Sequence, residues 1–163
     1  MTLEELNASD REAFVAVVGW LFEDSPWVAE RAWADRPFAS PEALLAAMTA
    51  AVAGADRARQ LALLRAHPDL GARARMSEAS EGEQAGAGLD RLTPVEYEQL
   101  QRLNTEYRER FGFPFLFAVR GSTTHDVLAA LSTRLGASAE QEFEEALRQV
   151  YQIAAFRMRD ALI

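Results

Sequence analysis

The amino-acid sequence predicts an all-α protein, a single compact bundle of about seven to eight helices. Alanine and other good helix formers dominate the composition, whereas Val, Ile and Thr are sparse. Apolar residues recur at spacings of three and four, and proline, glycine and N-capping residues separate these segments. A length of 163 residues suits one domain, so we assign residues 1–163 to a single helical domain.

Four helices are predicted in the first half of the chain. The pattern Ser9-Asp10-Arg11-Glu12 is a capping box before an amphipathic segment, and Pro26 opens a short second helix. Ser40-Pro41 combines an N-cap with a proline at the first helical position, which begins the third helix. The fourth begins near Asp56 and ends at His67, because a residue that precedes proline is disfavoured in helical geometry.

The second half is predicted to hold four more helices and one extended segment. Residues 80–84 form a short helical segment, and Thr93-Pro94-Val95-Glu96 opens a longer helix. Residues 113–119 are apolar, aromatic and interrupted by a proline, so we predict a buried, extended connector. The last two helices begin near Thr124 and at Ser138.

The composition excludes several classes of protein. The chain has no cysteine, which rules out disulfides, thiolate nucleophiles and thiolate metal sites. A formal net charge of −8 argues against binding to nucleic acid or to an anionic membrane. No apolar run approaches the roughly 20 residues of a membrane span, and no secretory signal is recognisable, so we expect a cytoplasmic protein. The two histidines are far apart and outside any metal-binding motif, so we expect no metal.

His67, in the segment His67-Pro68-Asp69-Leu70-Gly71, is the candidate for acid–base chemistry. Histidine is the side chain whose unperturbed pKa, about 6.5, lies near neutral pH. The rigid Pro68 would hold the imidazole at the mouth of a loop. A structural role is the alternative, since a histidine at a helix C-terminus interacts favourably with the helix dipole.

Ser80, Glu83 and Gln84 project from one helix face, because they are spaced at i, i+3 and i+4. A hydroxyl, a carboxylate and an amide on one face can bind a ligand rich in N–H and C=O groups. Ser-x-x-Glu is also a capping box, so the segment could serve only to begin a helix. Capping does not explain Gln84.

The connector 113–119 and Arg157 complete the candidates. The connector is either ordinary core or a place where buried non-helical backbone finds its partners in a ligand. Arg157 lies at the edge of the apolar stripe of the last helix, where a guanidinium needs an acceptor. That acceptor is either a protein carboxylate or a substrate anion.

In order and spacing, these segments resemble the signature segments of the OHCU decarboxylases, which act on 2-oxo-4-hydroxy-4-carboxy-5-ureidoimidazoline in urate degradation. The segments are His67-Pro68-Asp69-Leu70, Ser80-Glu81-Gly82-Glu83-Gln84 with the following Ala85-Gly86-Ala87-Gly88-Leu89, and Phe111-Gly112-Phe113-Pro114-Phe115. Further family-like positions are Trp33 with Arg36-Pro37-Phe38, Asn104 with Tyr107, and Ile153 with Arg157. The resemblance runs from about residue 5 to the C-terminus, although the stretch 71–79 is shorter than in some members.

The resemblance implies an all-α fold, a small-molecule substrate, no cofactor and a homodimer. It implies cofactor-independent decarboxylation of the ureidoimidazoline to (S)-allantoin, with His67 as the catalytic histidine and Glu83 orienting His67 or the substrate hydroxyl. The residues that it places against the substrate are Pro68, Ser80, Glu81, Gly82, Glu83, Gln84, Phe115, Leu116, Phe117, Ala118, Val119 and Arg157.

Two other functions stay open at this point. The chain could be a helical interaction module that has kept the fold without the activity. It could also decarboxylate a related ureido or hydantoin-like compound. The presence of the full polar set, which includes His67, Glu83 and Arg157, favours an enzyme over an interaction module.

Overall fold

The computed structural model describes residues 1–72 and 76–162, and within these ranges it contains nine α-helices and no strand. The all-α prediction is confirmed. The bounds of the helices are Leu3–Ala8 (α1), Arg11–Val18 (α2), Trp27–Ala32 (α3), Pro41–Ala53 (α4), Arg57–Arg65 (α5), Glu78–Gly86 (α6), Pro94–Phe111 (α7), Thr124–Arg134 (α8) and Ala139–Ala161 (α9). Two short 3₁₀ segments occupy Gly19–Leu21 and Trp33–Asp35. Residues 73–75 of the stretch 71–79 lie outside the described ranges.

Most of the predicted helix starts are confirmed, because their capping signals are local. Ser40, Asp56 and Thr93 accept hydrogen bonds from backbone N–H groups in the first turns of α4, α5 and α7. Ser138 and Gln141 exchange the corresponding pair of bonds at the start of α9. The one described helix that we did not predict is α1, whose six residues follow a capping box formed by Thr2 and Glu5.

One predicted N-cap, Ser9, is wrong, and the capping alternative for Ser80 is excluded. Asp10, not Ser9, caps α2, since its carboxylate accepts from the N–H of Ala13 at 2.8 Å. Ser77 caps α6, since its hydroxyl accepts from the N–H of Ser80 at 3.2 Å. Ser80 therefore lies inside the helix rather than at its cap, and the capping explanation of the pattern beginning at Ser80 fails.

The chain divides into two compact units, one formed by Met1–Ala66 with Tyr151–Ile163 and one formed by His67–Val150. The single domain over residues 1–163 stays a prediction. In the first unit, α3 packs against both α2 and α4. Fully buried apolar side chains from these helices form its core: Phe14, Val18, Val28, Leu44 and Met48.

The family-like residues Trp33 and Arg36 have structural contacts in the first unit. The Arg36 guanidinium lies 4.1 Å from the centre of the Trp33 ring. It also donates to the backbone oxygens of Asn7 at 3.0 Å and Ser9 at 2.9 Å. These bonds hold the C-terminal end of α1 and the residue after it to the segment that follows α3.

An aromatic cluster forms the core of the second unit. The Tyr107 ring packs edge-on against Phe113 and Phe115, with ring centres 5.9 and 5.4 Å apart, and Phe113 packs in the same way against Phe143. Such edge-to-face pairs add stabilisation beyond the area that they bury. Helix α7 ends at Gly112, which takes the left-handed conformation with φ 82° that favours glycine. Residues 114–119 follow without helix or strand, so the predicted connector is confirmed.

Across residues 1–72 and 76–162, no helix combines the length and apolar character that a bilayer-spanning segment requires.

Candidate active site

His67 is the first residue of the second unit, and only 6% of its surface is exposed. Helix α5 ends at Arg65 with Ala66 as its C-cap, so the helix ends close to the position that Pro68 predicts. The ring of Pro68 restricts the backbone that leads from His67 into the loop. The imidazole is therefore withdrawn from bulk solvent on a short, constrained segment.

Three side chains hold the loop that follows His67. Gln84 of α6 accepts the N–H of Gly71 through Oε1 at 2.8 Å, and its Nε2 lies 3.4 Å from the backbone oxygen of Asp69. Asn104 and Arg108 of α7 provide the other contacts with this loop. Both the oxygen and the nitrogen of the Gln84 side-chain amide contact the backbone of this loop. The observed role of Gln84 is therefore to hold the loop.

Helix α6 presents the predicted polar face. Ser80 and Gln84 are buried and Glu83 is partly buried, whereas Glu81 and Gly82 are exposed. The expected one-sided arrangement of the hydroxyl, the carboxylate and the amide is therefore present. Contact between residues 80–84 and a substrate stays a prediction.

The connector is held by two side chains that our sequence reasoning missed. Arg134 of α8 donates to the backbone oxygen of Leu116, and its guanidinium lies 4.5 Å from the centre of the Phe115 ring. Gln149 of α9 accepts the N–H of Ala118 at 2.9 Å. Protein side chains thus satisfy two of the backbone groups that an extended, buried segment leaves unpaired.

A buried charged cluster lies behind Arg134. Glu142 accepts from Arg134 Nε and from the hydroxyl of Tyr107, both at 2.5 Å. Burial raises the pKa of Tyr107 well above its ordinary value, and the hydrogen bond and negative charge of Glu142 raise it further. Tyr107 is therefore a proton donor to the carboxylate across the range of physiological pH.

One signal in the sequence could have identified this cluster. Glu142 and Gln149 are seven residues apart on α9, so they lie on the same helix face two turns apart. Phe143, Ala146 and Val150, which lie beside them in sequence, are buried. Polar residues in such an apolar region require hydrogen-bond partners.

Arg157 lies in the first unit and forms an ion pair with Glu23. The two groups are 2.8 Å apart, and each side chain is 3% exposed. Arg157 also donates to the backbone oxygen of Trp20 at 3.1 Å. The structural ion pair, one of our two alternatives, is therefore present, and substrate contact by Arg157 stays a prediction.

In the part of the chain that the structure describes, no three His, Asp or Glu side chains come together as a metal-ion site. The candidate groups for chemistry are a buried imidazole on a braced loop, a polar helix face and an anchored extended segment. Such an arrangement can bind a small polar molecule and move a proton on it. The fold and the candidate site together are typical of an all-α enzyme that performs acid–base chemistry on a small molecule.

A model of the OHCU decarboxylase family matches residues 7–159. The chain therefore belongs to the OHCU decarboxylase family, which confirms the resemblance found in the sequence and the enzyme class, a decarboxylase.

Two relatives and one solved structure show how extensive the similarity is. The 2-oxo-4-hydroxy-4-carboxy-5-ureidoimidazoline decarboxylase of Halalkalicoccus jeotgali is 47% identical over 163 residues, which cover 100% of this chain and 93% of the relative. The protein of the same name from Haloferax volcanii is 49% identical over 160 residues, with 98% and 95% covered. The crystal structure of an (S)-allantoin synthase superposes with a TM-score of 0.80 at 34% identity. The match covers 99% of this chain and 54% of that one, so this chain spans about half the length of the synthase.

Proposed function

We propose that this protein decarboxylates 2-oxo-4-hydroxy-4-carboxy-5-ureidoimidazoline to (S)-allantoin in urate degradation, without a cofactor. The observation that carries the proposal is that a chain matching the OHCU decarboxylase family over residues 7–159 buries His67 next to a braced loop. The polar face of α6 supports the same function, because the substrate is rich in N–H and C=O groups.

The substrate itself explains how decarboxylation proceeds without a cofactor. Its carboxylate and hydroxyl share one ring carbon, and the neighbouring ring carbon carries a C=N bond. When the bond to the carboxylate breaks, CO₂ leaves and its electron pair forms a C=C bond between these carbons. The former imine nitrogen takes the displaced pair and a proton. The C=N bond thus serves as the electron sink that a cofactor provides in other decarboxylases.

His67 is assigned to the proton transfer that follows. The hydroxyl loses its proton and becomes a carbonyl, while the neighbouring carbon gains a proton and allantoin forms. Delivery of this proton to one face by His67 yields the (S) enantiomer, and general acid–base catalysis of this kind contributes roughly 10²- to 10⁴-fold. Glu83 orients His67 or the substrate hydroxyl.

The remaining predicted site residues are assigned to binding. Ser80, Gln84 and the backbone of residues 115–119 hold the ureido group and the ring amides. Pro68 and the backbone of residues 81–82 are assigned as further contacts. Arg157 stays a proposed contact for the substrate's negative charge.

Product chirality tests this function directly. The unstable substrate is generated from urate with an oxidase and a hydrolase, and allantoin is followed by circular dichroism. We expect rapid formation of one enantiomer over the slow racemic decay. His67→Asn should lose turnover and stereoselectivity, whereas His125→Asn, at the only other histidine, should retain both. Racemic product at the background rate from folded protein would overturn the proposal.

The same assay separates the alternatives. An inactive interaction module leaves every substrate at its spontaneous rate, whereas an enzyme for a related compound accelerates one member of a panel of ureido and hydantoin-like acids.

We further propose that the protein is a cytoplasmic homodimer. Light scattering coupled to size-exclusion chromatography measures the oligomeric state, and cell fractionation measures the localisation.

A further inference from the structure

We propose that Asn104 and Arg108 on α7 are positioning residues for His67, acting through the loop formed by Asp69, Leu70 and Gly71. The inference rests on the proposed function, in which His67 transfers a proton. It adds two residues that do not belong to the predicted substrate contacts.

Asn104 is a buried amide that binds loop backbone. It is 2% exposed, and its Nδ2 donates to the backbone oxygen of Leu70 at 2.9 Å. Its apolar neighbours on α7, Leu100 and Leu103, are buried, so filling the core alone would be served equally well by a leucine. A buried amide is destabilising unless it is hydrogen-bonded, and Asn104 Oδ1 has no partner among the described residues. The contact with Leu70, rather than packing, therefore accounts for an amide at this buried position.

Arg108 lies one helical turn further along α7 and holds the preceding loop residue. Its Nη2 is 2.6 Å from Asp69 Oδ1, with side chains that are 53% and 27% exposed. An exposed ion pair contributes little to global stability, roughly 0–1 kcal/mol. Its consequence here is geometric, since it joins the Asp69 side chain to α7.

Gly71 closes the loop in a left-handed conformation that leaves no room for a side chain. Its φ is 73°, and a Cβ placed there would lie 2.5 Å from Leu100 Cδ2, so α7 contacts this residue as well. The N–H of Gly71 is held by Gln84. Each of the three residues 69–71 thus has its own contact with α6 or α7.

His67 is close to this loop in sequence, so the contacts that hold the loop also restrict the position of His67. Only Pro68 separates His67 from Asp69, and its ring fixes φ, so few rotations can absorb a displacement of the loop. A shift of about 1 Å in a catalytic group can lower the rate on the order of 10²-fold. Loss of either α7 contact is therefore expected to act on His67.

The experiment compares Asn104→Leu and Arg108→Ala with Arg102→Ala, which removes an exposed arginine from the same helix. We expect kcat to fall by about 10- to 100-fold for Asn104→Leu and by a smaller factor for Arg108→Ala, with KM within about threefold. Arg108→Lys should recover part of the loss. Arg102→Ala should match the unmodified protein.

A spectroscopic measurement separates positioning from a general loss of structure. The chain has two histidines, so the imidazole resonances of His67 and His125 can be assigned with a His125→Gln variant. We expect the His67 resonance to shift in Asn104→Leu and Arg108→Ala while the His125 resonance stays in place. Arg108 is at the surface, so its variant keeps the test valid if Asn104→Leu does not fold.

The two measurements distinguish failure of this inference from failure of the proposed function. An unchanged His67 resonance and unchanged kcat in Arg108→Ala would overturn the positioning role. An unmodified protein that does not decarboxylate the substrate would overturn the proposed function. In that case, the resonance of His67 still decides whether α7 positions the imidazole.

Discussion

The hydroxyl of Tyr107 on α7 donates a 2.5 Å hydrogen bond to Glu142 on α9, at a point where both residues are buried. The same carboxylate oxygen accepts from Arg134, which in turn holds the backbone oxygen of Leu116. The connector is therefore tied to a hydrogen-bonded network that spans three helices. This network provides the first two predictions.

Tyr107→Phe should destabilise the protein and remove part of its pH dependence. A donor lost from a buried carboxylate costs about 1–3 kcal/mol in the free energy of unfolding. Because the folded-state pKa of Tyr107 is raised above 10.0, its contribution is complete below pH 10 and declines as the pH rises beyond that value.

Urea unfolding between pH 8 and pH 11 measures both effects. The unmodified protein should lose up to about 1.4 kcal/mol per pH unit above pH 10 through this residue, and Tyr107→Phe should lose less. Tyr151→Phe provides the comparison, because burial alone raises the pKa of Tyr151, and it should change the pH slope less than Tyr107→Phe does. Equal pH slopes in Tyr107→Phe and the unmodified protein would contradict the prediction.

Arg134→Met should be strongly destabilising, by about 3–5 kcal/mol, because it leaves the buried Glu142 carboxylate without its cation. Arg134→Met combined with Glu142→Leu should recover much of this stability, since an apolar pair needs no desolvation of charge. Arg148→Ala removes one partner of an exposed pair with Glu145 and should change the unfolding free energy by less than about 1 kcal/mol. If the Arg134 and Arg148 variants unfold at the same urea concentration, the buried pair is not important for stability.

Gln149→Ala should weaken substrate binding. Gln149 holds the N–H of Ala118, in the part of the connector to which we assign substrate contacts. Without this anchor the extended backbone gains freedom that binding must remove, so KM is expected to rise about three- to tenfold with a smaller change in kcat. Steady-state kinetics with Gln152→Ala, an exposed glutamine on the same helix, provides the comparison. If Gln149→Ala and Gln152→Ala have the same KM, the hydrogen bond between Gln149 and Ala118 does not contribute to substrate binding.

Arg157→Ala should also be destabilising, by about 3–5 kcal/mol, because the guanidinium that neutralises the buried Glu23 is lost. The combination Arg157→Met with Glu23→Met is expected to restore the thermal midpoint. Stability and binding can then be measured separately in one folded protein. If Arg157 contacts the substrate, the double variant keeps a raised KM despite its restored midpoint. A double variant with normal KM and kcat would assign Arg157 to stability alone.

Local signals in the sequence predicted most of the helices. Ser40-Pro41 and Thr93-Pro94 combine an N-cap with a helix-initiating proline, so neither start depends on distant residues. The predicted segment 80–84 lies inside α6, but the sequence left capping by Ser80 open, because Ser77 and Ser80, three residues apart, can both act as caps. Ser80 has the better local pattern, yet it is buried one turn inside the helix that Ser77 begins. Burial, which local pattern does not report, decided between them.

The sequence also sufficed for the family and for the candidate residues, since three motifs in a set order are specific and residue types define possible chemistry. It could not supply the partners of those residues. Asn104 binds a loop 34 positions away, and Arg157 pairs with Glu23 across 134 positions. Periodicity identifies the helix face on which a side chain lies, but the group opposite that face comes from a distant element. Only the tertiary structure brings the two together, because packing of the helices determines which polar groups share a buried site.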